Sequence, residues 1–459
     1  MIYHVNDFGA VADGVTLNTQ AVQKAIDECS KTGGCVRFGE GKYVLSTVFM
    51  KSNVTVEIPK GTEILGALSF YDYAPEEKID YPAYQDSSHT YYHCSMFVGL
   101  DCENIRFVGQ GKIDMRSVWD EDNVRRIVHR GPKCIALKYC KNVEVSGLTI
   151  VNVTDLAVYF SGCENVDVFG LKMRVYIDGV SPDNSKNVRI HDCDIEAGDD
   201  AIVFKSSYTL NKIDICKDIH VWNCRLKSLC NALKFGTETN GGFENILVEN
   251  LDIRDTRITG ISIESVDGAV IDGVTIRNLK MQNVNAPLFI HVGRRMRGPE
   301  GRELGWIRNV TLENITAEGP YEPYEIIPCN YDTYKMHGEV MKRYPWMFGK
   351  VASVEIASRE SDWQMTCNVC GLQERPLQNI TLKNIRFKLD GGVKEYNKTV
   401  PEEAQDYPEV YVYGRILPAK GIYFRHIEGL TLENVTVETY RDDARQAFVF
   451  EKVKNLIKK

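Results

Sequence analysis

Residues 140–150 read CKNVEVSGLTI, residues 163–173 read CENVDVFGLKM and residues 185–195 read SKNVRIHDCDI. Each stretch opens on a small or thiol side chain, passes through Asn, and then alternates Val or Ile with polar residues. Alternation with period two marks β-strands, and no 3.6-residue periodicity competes with it. The same pattern recurs outward from this centre. It starts at Cys102 on one side and at Cys216, Phe243, Ile271, Ile307, Leu377 and Ile427 on the other, making ten copies. The third residues of the central copies fall at 142, 165, 187, 218, 245 and 273, so the spacings are 23, 22, 31, 27 and 28. A period near 22 is too short for strand–helix–strand units, whose crossover helix alone takes ~10–12 residues. Strands separated by one full coil run parallel and stack at ~4.8 Å. The expectation is an all-β chain, a right-handed parallel β-helix of about ten coils, forming a single domain over 1–459.

This frame governs the smaller motifs. Cys140, Cys163 and Cys216 share one position of the repeat, as do Cys193 and Cys224, so they read as stacked thiols in or near the coil interior. Cys367 and Cys370 form a lone C-x-x-C pair, short of the four ligands of a structural zinc site. Asn53, Asn309, Asn314, Asn379 and Asn434 sit in N-x-T triplets, read here as turn asparagines rather than glycosylation sites. The open end of a β-helix needs a cover. Residues 14–35 supply a helix with Asn18 or Thr19 as N-cap, an apolar stripe of Ala21, Val22, Ala25 and Ile26, and Gly33-Gly34 as its stop. At the other end Phe448-Val449-Phe450 and the basic tail 452–459 close the chain. Segments 69–97, 318–376 and 389–420 exceed the coil period. The first is rich in Tyr, the second carries Trp346 and Trp363, and the third carries Val400-Pro401-Glu402 and Tyr407-Pro408-Glu409. Such insertions can wall a cleft or make an oligomer contact.

The chain has 459 residues, 43% of them hydrophobic and 26% charged, which excludes disordered and collagen-like chains. Its net charge of −8 argues against a nucleic-acid or anionic-membrane partner. No run approaches the ~20 apolar residues of a membrane span. The N-terminus, Met1-Ile2-Tyr3-His4-Val5, has no basic or apolar leader region, so a cytoplasmic location is expected, or secretion if a leader has been removed.

The densest acidic cluster lies in two adjacent coils, at Asp178 and at Asp199-Asp200. Offsets of 21 and 22 residues match one rung, so three carboxylates converge on one face. Crowded like charges raise one another's pKa, a cost that points to use. A calcium site is the structural alternative, since oxygen-rich clusters attract that ion. The functional reading is glycoside hydrolysis with inversion, in which a carboxylic acid and a carboxylate stand ~6.5–9.5 Å apart.

Over nearly its whole length the chain resembles glycoside hydrolase family 28, the polygalacturonase family. Asp7-Phe8-Gly9-Ala10-Val11-Ala12-Asp13-Gly14 is similar to the opening signature of pectin-active β-helices, and the central match is the spacing of Asp178, Asp199 and Asp200. The resemblance implies an inverting hydrolase without a metal or other cofactor, acting on α-linked uronic acid or rhamnogalacturonan chains. It implies Asp199 as general acid, with Asp178 and Asp200 positioning and activating water. The departures are specific. Only the Asp of the family's NTD remains at Tyr176-Ile177-Asp178; its GHG falls on Cys230-Asn231-Ala232, and its RIK falls on Ser262-Ile263-Glu264. The Arg and Lys that grip a galacturonate carboxylate in the family are therefore missing, and Glu264 repels one. Either the sugar there is neutral and offers hydroxyls to Glu264, or Lys205, Lys234, Arg294 or Arg295 takes the carboxylate. Asn231, Lys205, Lys234, Glu238, Glu264 and Arg294 are the candidate substrate-binding residues.

The expected activity is exo-type hydrolysis of pectin-derived or other plant oligosaccharides. Two alternatives belong to other classes. A calcium-dependent polysaccharide lyase would need a basic residue among the three Asp and would yield an unsaturated product. A non-catalytic carbohydrate-binding β-helix would bind glycans without turnover.

Overall fold

The structure, a computed structural model, describes residues 1–85, 87–118, 130–321, 365–402 and 408–459. Trp346, Trp363 and Tyr407 lie outside the described residues. All its paired strands run parallel, each to the strand one coil away. One register line runs through Ile105, Val143, Val166, Val188, Ile219 and Ile246. It continues through Val274, Val310, Ile380, Leu430 and Leu456. All but the last are buried. The chain is a parallel β-helix, and the alternation read from the sequence is its inward and outward faces. Each fully buried Val or Ile in such a stack contributes about 1.5–3 kcal/mol of hydrophobic stabilisation.

The turns explain the Asn in each copy. Asn104, Asn142, Asn165 and Asn187 all have φ between 52° and 57°, in the left-handed region that Asn tolerates. Each side-chain amide donates to the Asn of the preceding coil: Asn104 to Asn53, Asn142 to Asn104, Asn165 to Asn142 and Asn187 to Asn165, at 2.6–3.0 Å. A second ladder joins Asn278, Asn314, Asn384 and Asn434 at 2.9–3.0 Å. Of the N-x-T asparagines named above, Asn53 belongs to the first ladder and Asn314 and Asn434 to the second, while Asn309 donates to Asp272 at 2.7 Å and Asn379 to Asn309 at 3.0 Å.

The cysteines described are free thiols, nearly all buried. The Cys140 backbone N–H donates to the Cys163 sulfur at 3.3 Å, as adjacent stacked coils require. Cys367 and Cys370 belong to one buried strand, Cys367–Cys370. Residues three apart in a strand point to opposite faces, so the pair cannot share a metal or a bond.

The N-terminal helix spans Thr19–Ser30 and buries Val22, Ala25, Ile26 and Cys29. It packs on the strands Ile2–His4, Gly34–Arg37, Val48–Phe49 and Val54–Ile58 of the first coils. Asn18 occupies the N-cap position but makes no capping bond. Its side chain is taken by Val11 and Thr16, and Thr19 Oγ1 by Ser46. Tethering the preceding loop outcompetes capping here. The helix ends on Lys31 rather than on the glycine pair. At the far end Gln446–Lys458 pairs with Ala419–Arg441 as the last described strand. Among the described residues no helix is long and apolar enough to cross a membrane.

Candidate active site

Four consecutive rungs build the site: Val180–Asp183, Ile202–Ser206, Asn231–Thr239 and the Thr259–Ser265 portion of Asp252–Ser265. Register pairs Val180 with Ile202, Ile202 with Leu233 and Leu233 with Ile261. Alternation fixes what lies on the two faces. Ile202, Phe204, Leu233, Phe235, Ile261 and Ile263 enter the core. Lys205, Lys234, Ser262 and Glu264 therefore share the outer face. Two residues before the inward Val180, Ile202 and Leu233, at the turn, stand Asp178, Asp200 and Asn231, stacked rung on rung.

Two glycines allow this turn. A Cβ on Gly179 would collide with Ala201 O and the Ile195 side chain, and one on Gly198 with Tyr176 O. Backbone bonds then lock the turn: Gly179 N–H donates to Asp200 O at 3.0 Å and Gly198 N–H to Val175 O at 2.9 Å.

The three carboxylates come together, with oxygens within 4.8 Å of one another. That limit applies to one oxygen from each carboxyl, and it follows from neighbouring rungs being only ~4.8 Å apart. Asp178 accepts the Asp200 backbone N–H at 3.2 Å. Asp200 accepts from the Asn231 side chain at 2.9 Å and its backbone N–H at 3.3 Å. Burial pushes the Asp178 carboxyl up to about 6, with Lys205 opposing and Asp199 adding to the rise. Burial also raises Asp200 well above the carboxylate range, against Lys234 and with help from Asp199 and Asp178. Asp199 differs: its side chain is 31% exposed, against 5% for Asp178 and 6% for Asp200. Arg130 stands 3.9 Å from it.

Two buried lysines flank the acids. Lys205 Nζ donates to Glu238 at 2.9 Å and stands 3.8 Å from Asp178. The pair stays ionised: Glu238, Asp178 and Asp200 raise Lys205 against the pull of burial, and Lys205 and other cations hold Glu238 well below the carboxylate range despite burial. Lys234 Nζ donates to Glu409 at 2.6 Å and lies 3.6 Å from Glu264 and 3.9 Å from Asp200. Glu264 accepts from Ser262 at 2.5 Å, and burial pushes its carboxyl up to about 8.

The structure thus gathers Asp178, Asp199, Asp200, Asn231, Lys205, Lys234, Glu238 and Glu264 into one polar cluster. Arg294 is not part of it; its guanidinium pairs with Glu374 at 2.6 Å. Its neighbour Arg295 turns inward, bonding Asp267 and Thr237 and standing 4.0 Å from Glu238. Sequence reasoning missed Glu409, Arg130 and His89. Glu409 arrives from the 389–420 insertion, 175 residues beyond Lys234. His89, from the 69–97 insertion, is close enough to lower the carboxyls of Asp178 and Glu238. The cluster is a poor cage for calcium, which takes six to eight oxygens. Here the two ammonium groups at 3.8 and 3.9 Å already supply the positive charge.

Three carboxyls converge at the turns of neighbouring rungs, and paired carboxyls are the groups that glycoside hydrolysis uses. The sequence profile of glycosyl hydrolases family 28 matches residues 50–331, a stretch that contains the acids and both lysines, and the chain belongs to that family. It is 25% identical over 299 residues to a probable polygalacturonase of Vitis vinifera, covering 61% of this chain and 60% of that protein. It is 24% identical over 336 residues to an exo-poly-alpha-D-galacturonosidase of Dickeya chrysanthemi, covering 62% and 55%. The matches thus span 55–60% of the length of these two relatives. Among solved structures, the fold matches a hyperthermoactive exopolygalacturonase from Thermotoga maritima with TM-score 0.68 at 18% identity, over 95% of this chain and 92% of that one. It also matches a family 28 exopolygalacturonase from Yersinia enterocolitica with TM-score 0.69 at 19% identity, over 99% and 78%.

Proposed function

We propose that the protein is an inverting glycoside hydrolase that removes terminal units from α-linked, pectin-derived oligosaccharides. The observation that carries this is the acid trio, with oxygens within 4.8 Å and one member exposed. Burial raises the carboxyls of Asp178 and Asp200, so the buried pair holds on to a proton beside Asp199. Asp199, the exposed member, hands a proton to the leaving glycosidic oxygen. Water attacks the anomeric carbon from the other side as that bond breaks. Asp178, ionised above about pH 6, receives the proton the water loses, and Asp200 holds the water with it. Exchange with solvent then resets both groups. Lys205 and Lys234 keep the buried acids from accumulating unbalanced charge. Terminal action is supported by the insertions that bring Glu409 and His89 to the cluster, and by the exo-acting relative.

The close approach of the carboxyl oxygens also admits a second reading, a double displacement with retention, for which a separation of ~5–5.5 Å is usual. The test is a screen of pectic oligosaccharides and aryl glycosides, with NMR of the first-formed product. An inverted anomer supports the proposal. A retained anomer replaces it with the second reading, and binding without turnover replaces both with a carbohydrate-binding role.

A further inference from the structure

We propose that Asn231, Glu264 and Glu409 form a subsite that takes the hydroxyls of a neutral sugar and rejects a uronate carboxylate. The identity of the ligand as a sugar rests on the hydrolase reading; the selectivity does not. All three side chains are nine-tenths buried or more, at 0%, 0% and 4% exposure. Each nonetheless has one oxygen with no hydrogen-bond partner among the described residues: Asn231 Oδ1, Glu264 Oε2 and Glu409 Oε2. Buried polar atoms are nearly always paired, and leaving one unpaired is costly. Three such atoms in one cluster beside the acids call for a ligand that supplies hydrogens.

The three residues are tied to one another. Asn231 Nδ2 donates to Asp200 at 2.9 Å and reaches Glu409 Oε1 at 3.4 Å. Lys234 Nζ, 2.6 Å from that same Oε1, is 3.6 Å from Glu264 Oε1. So the three side chains that carry the orphan atoms gather about one ammonium, which lies 3.9 Å from Asp200.

The donor and acceptor inventory decides the class of ligand. Amide and carboxylate oxygens accept. Hydroxyls donate, and they can also accept if Glu264 keeps its proton. A uronate carboxylate only accepts, so it faces at least two acceptors whatever the state of Glu264. The four cations considered from the sequence for that carboxylate are engaged: Lys205 with Glu238 at 2.9 Å, Lys234 with Glu409 at 2.6 Å, Arg294 with Glu374 at 2.6 Å and Arg295 with Asp267 at 2.9 Å; Arg130 stands beside Asp199, at 3.9 Å. A cationic sugar is disfavoured in turn, because Lys234 already holds the centre. Glu409 gives the 389–420 insertion a role, since it carries the carboxylate that claims Lys234.

Binding is measured by calorimetry on the Asp199→Asn variant of the full chain, which separates affinity from turnover. The probes are methyl α-glycosides of galactose, rhamnose and arabinose, compared with methyl α-galacturonoside. At least one neutral glycoside is expected to bind tighter than the uronide by about tenfold or more. Glu264→Gln, an isosteric change that adds an N–H donor, should narrow that ratio. Uronide binding equal to or tighter than every neutral probe overturns the proposal, as does binding of none of them. Neutral preference with no hydrolysis by the unmodified protein leaves the subsite standing and removes the hydrolase reading. Hydrolysis of uronide chains without neutral preference does the reverse.

Discussion

Replacing Lys205 with Met tests the electrostatics of the site most sharply. The ammonium sits 3.8 Å from Asp178 and 2.9 Å from Glu238, with all three side chains at most 8% exposed. At 3.8 Å the Lys205–Asp178 attraction is about 4 kcal/mol for an effective dielectric of 20. Divided by 1.36 kcal/mol per pH unit, this sets a ceiling of about three pH units on the movement of Asp178. Relaxation and water entry reduce it, and a movement of at least about one pH unit is the working expectation. The sign is fixed: without Lys205, ionised Asp178 is less stable, so it gains its proton at higher pH. In the pH profile of kcat/KM, the acid limb, expected with its midpoint near pH 6 in the unmodified protein, moves to the alkaline side. Stability falls too, because Glu238 becomes a buried charge without its partner, a loss of about 3–5 kcal/mol. Adding Glu238→Gln removes that charge and restores most of the urea midpoint. An unmoved acid limb, or a double variant as unstable as Lys205→Met alone, refutes the reasoning.

The other expectations concern stability. Asn165, with φ 57°, donates to Asn142 at 3.0 Å and accepts from Asn187 at 2.6 Å. Asn165→Ala loses both bonds and adds left-handed strain, about 2–4 kcal/mol together, whereas Asn165→Gly avoids the strain and loses about 1 kcal/mol less. Urea midpoints showing Gly no better than Ala would sink this account of the ladder. Glu264 carries a carboxyl raised to about 8, so the folded protein keeps a proton that the unfolded chain releases near 4.5. That contribution is complete below the unfolded value and lost as pH rises toward 8. Glu264→Gln never ionises, so its melting temperature relative to the unmodified protein should climb from about pH 5 to 8 and stay level below. A difference independent of pH contradicts the assignment.

The coil stack was legible because a two-residue alternation repeats with one Asn per turn, and only stacked parallel strands reconcile that with a 22-residue period. The acid trio was legible for the same reason, since 178 and 200 differ by one coil. What the period does not reach, the sequence does not place. Glu409 and His89 lie in insertions, which carry no register to assign them to a rung. Arg294 and Arg295 follow the strand Val270–Val292, where alternation stops, and only the turn decides which one faces Asp267. Asn18 reads as a capping residue, yet a nearby loop claims its side chain. The short carboxylate spacing was hidden as well, because the offset gives the rung and not the direction of the side chains.

The most direct measurement compares Asp199→Asn with the unmodified protein on an oligosaccharide that the latter hydrolyses. The account predicts that turnover falls to the limit of detection while the circular dichroism spectrum, melting temperature and sugar affinity are retained. Turnover within a few fold of the unmodified protein, with the fold intact, contradicts it.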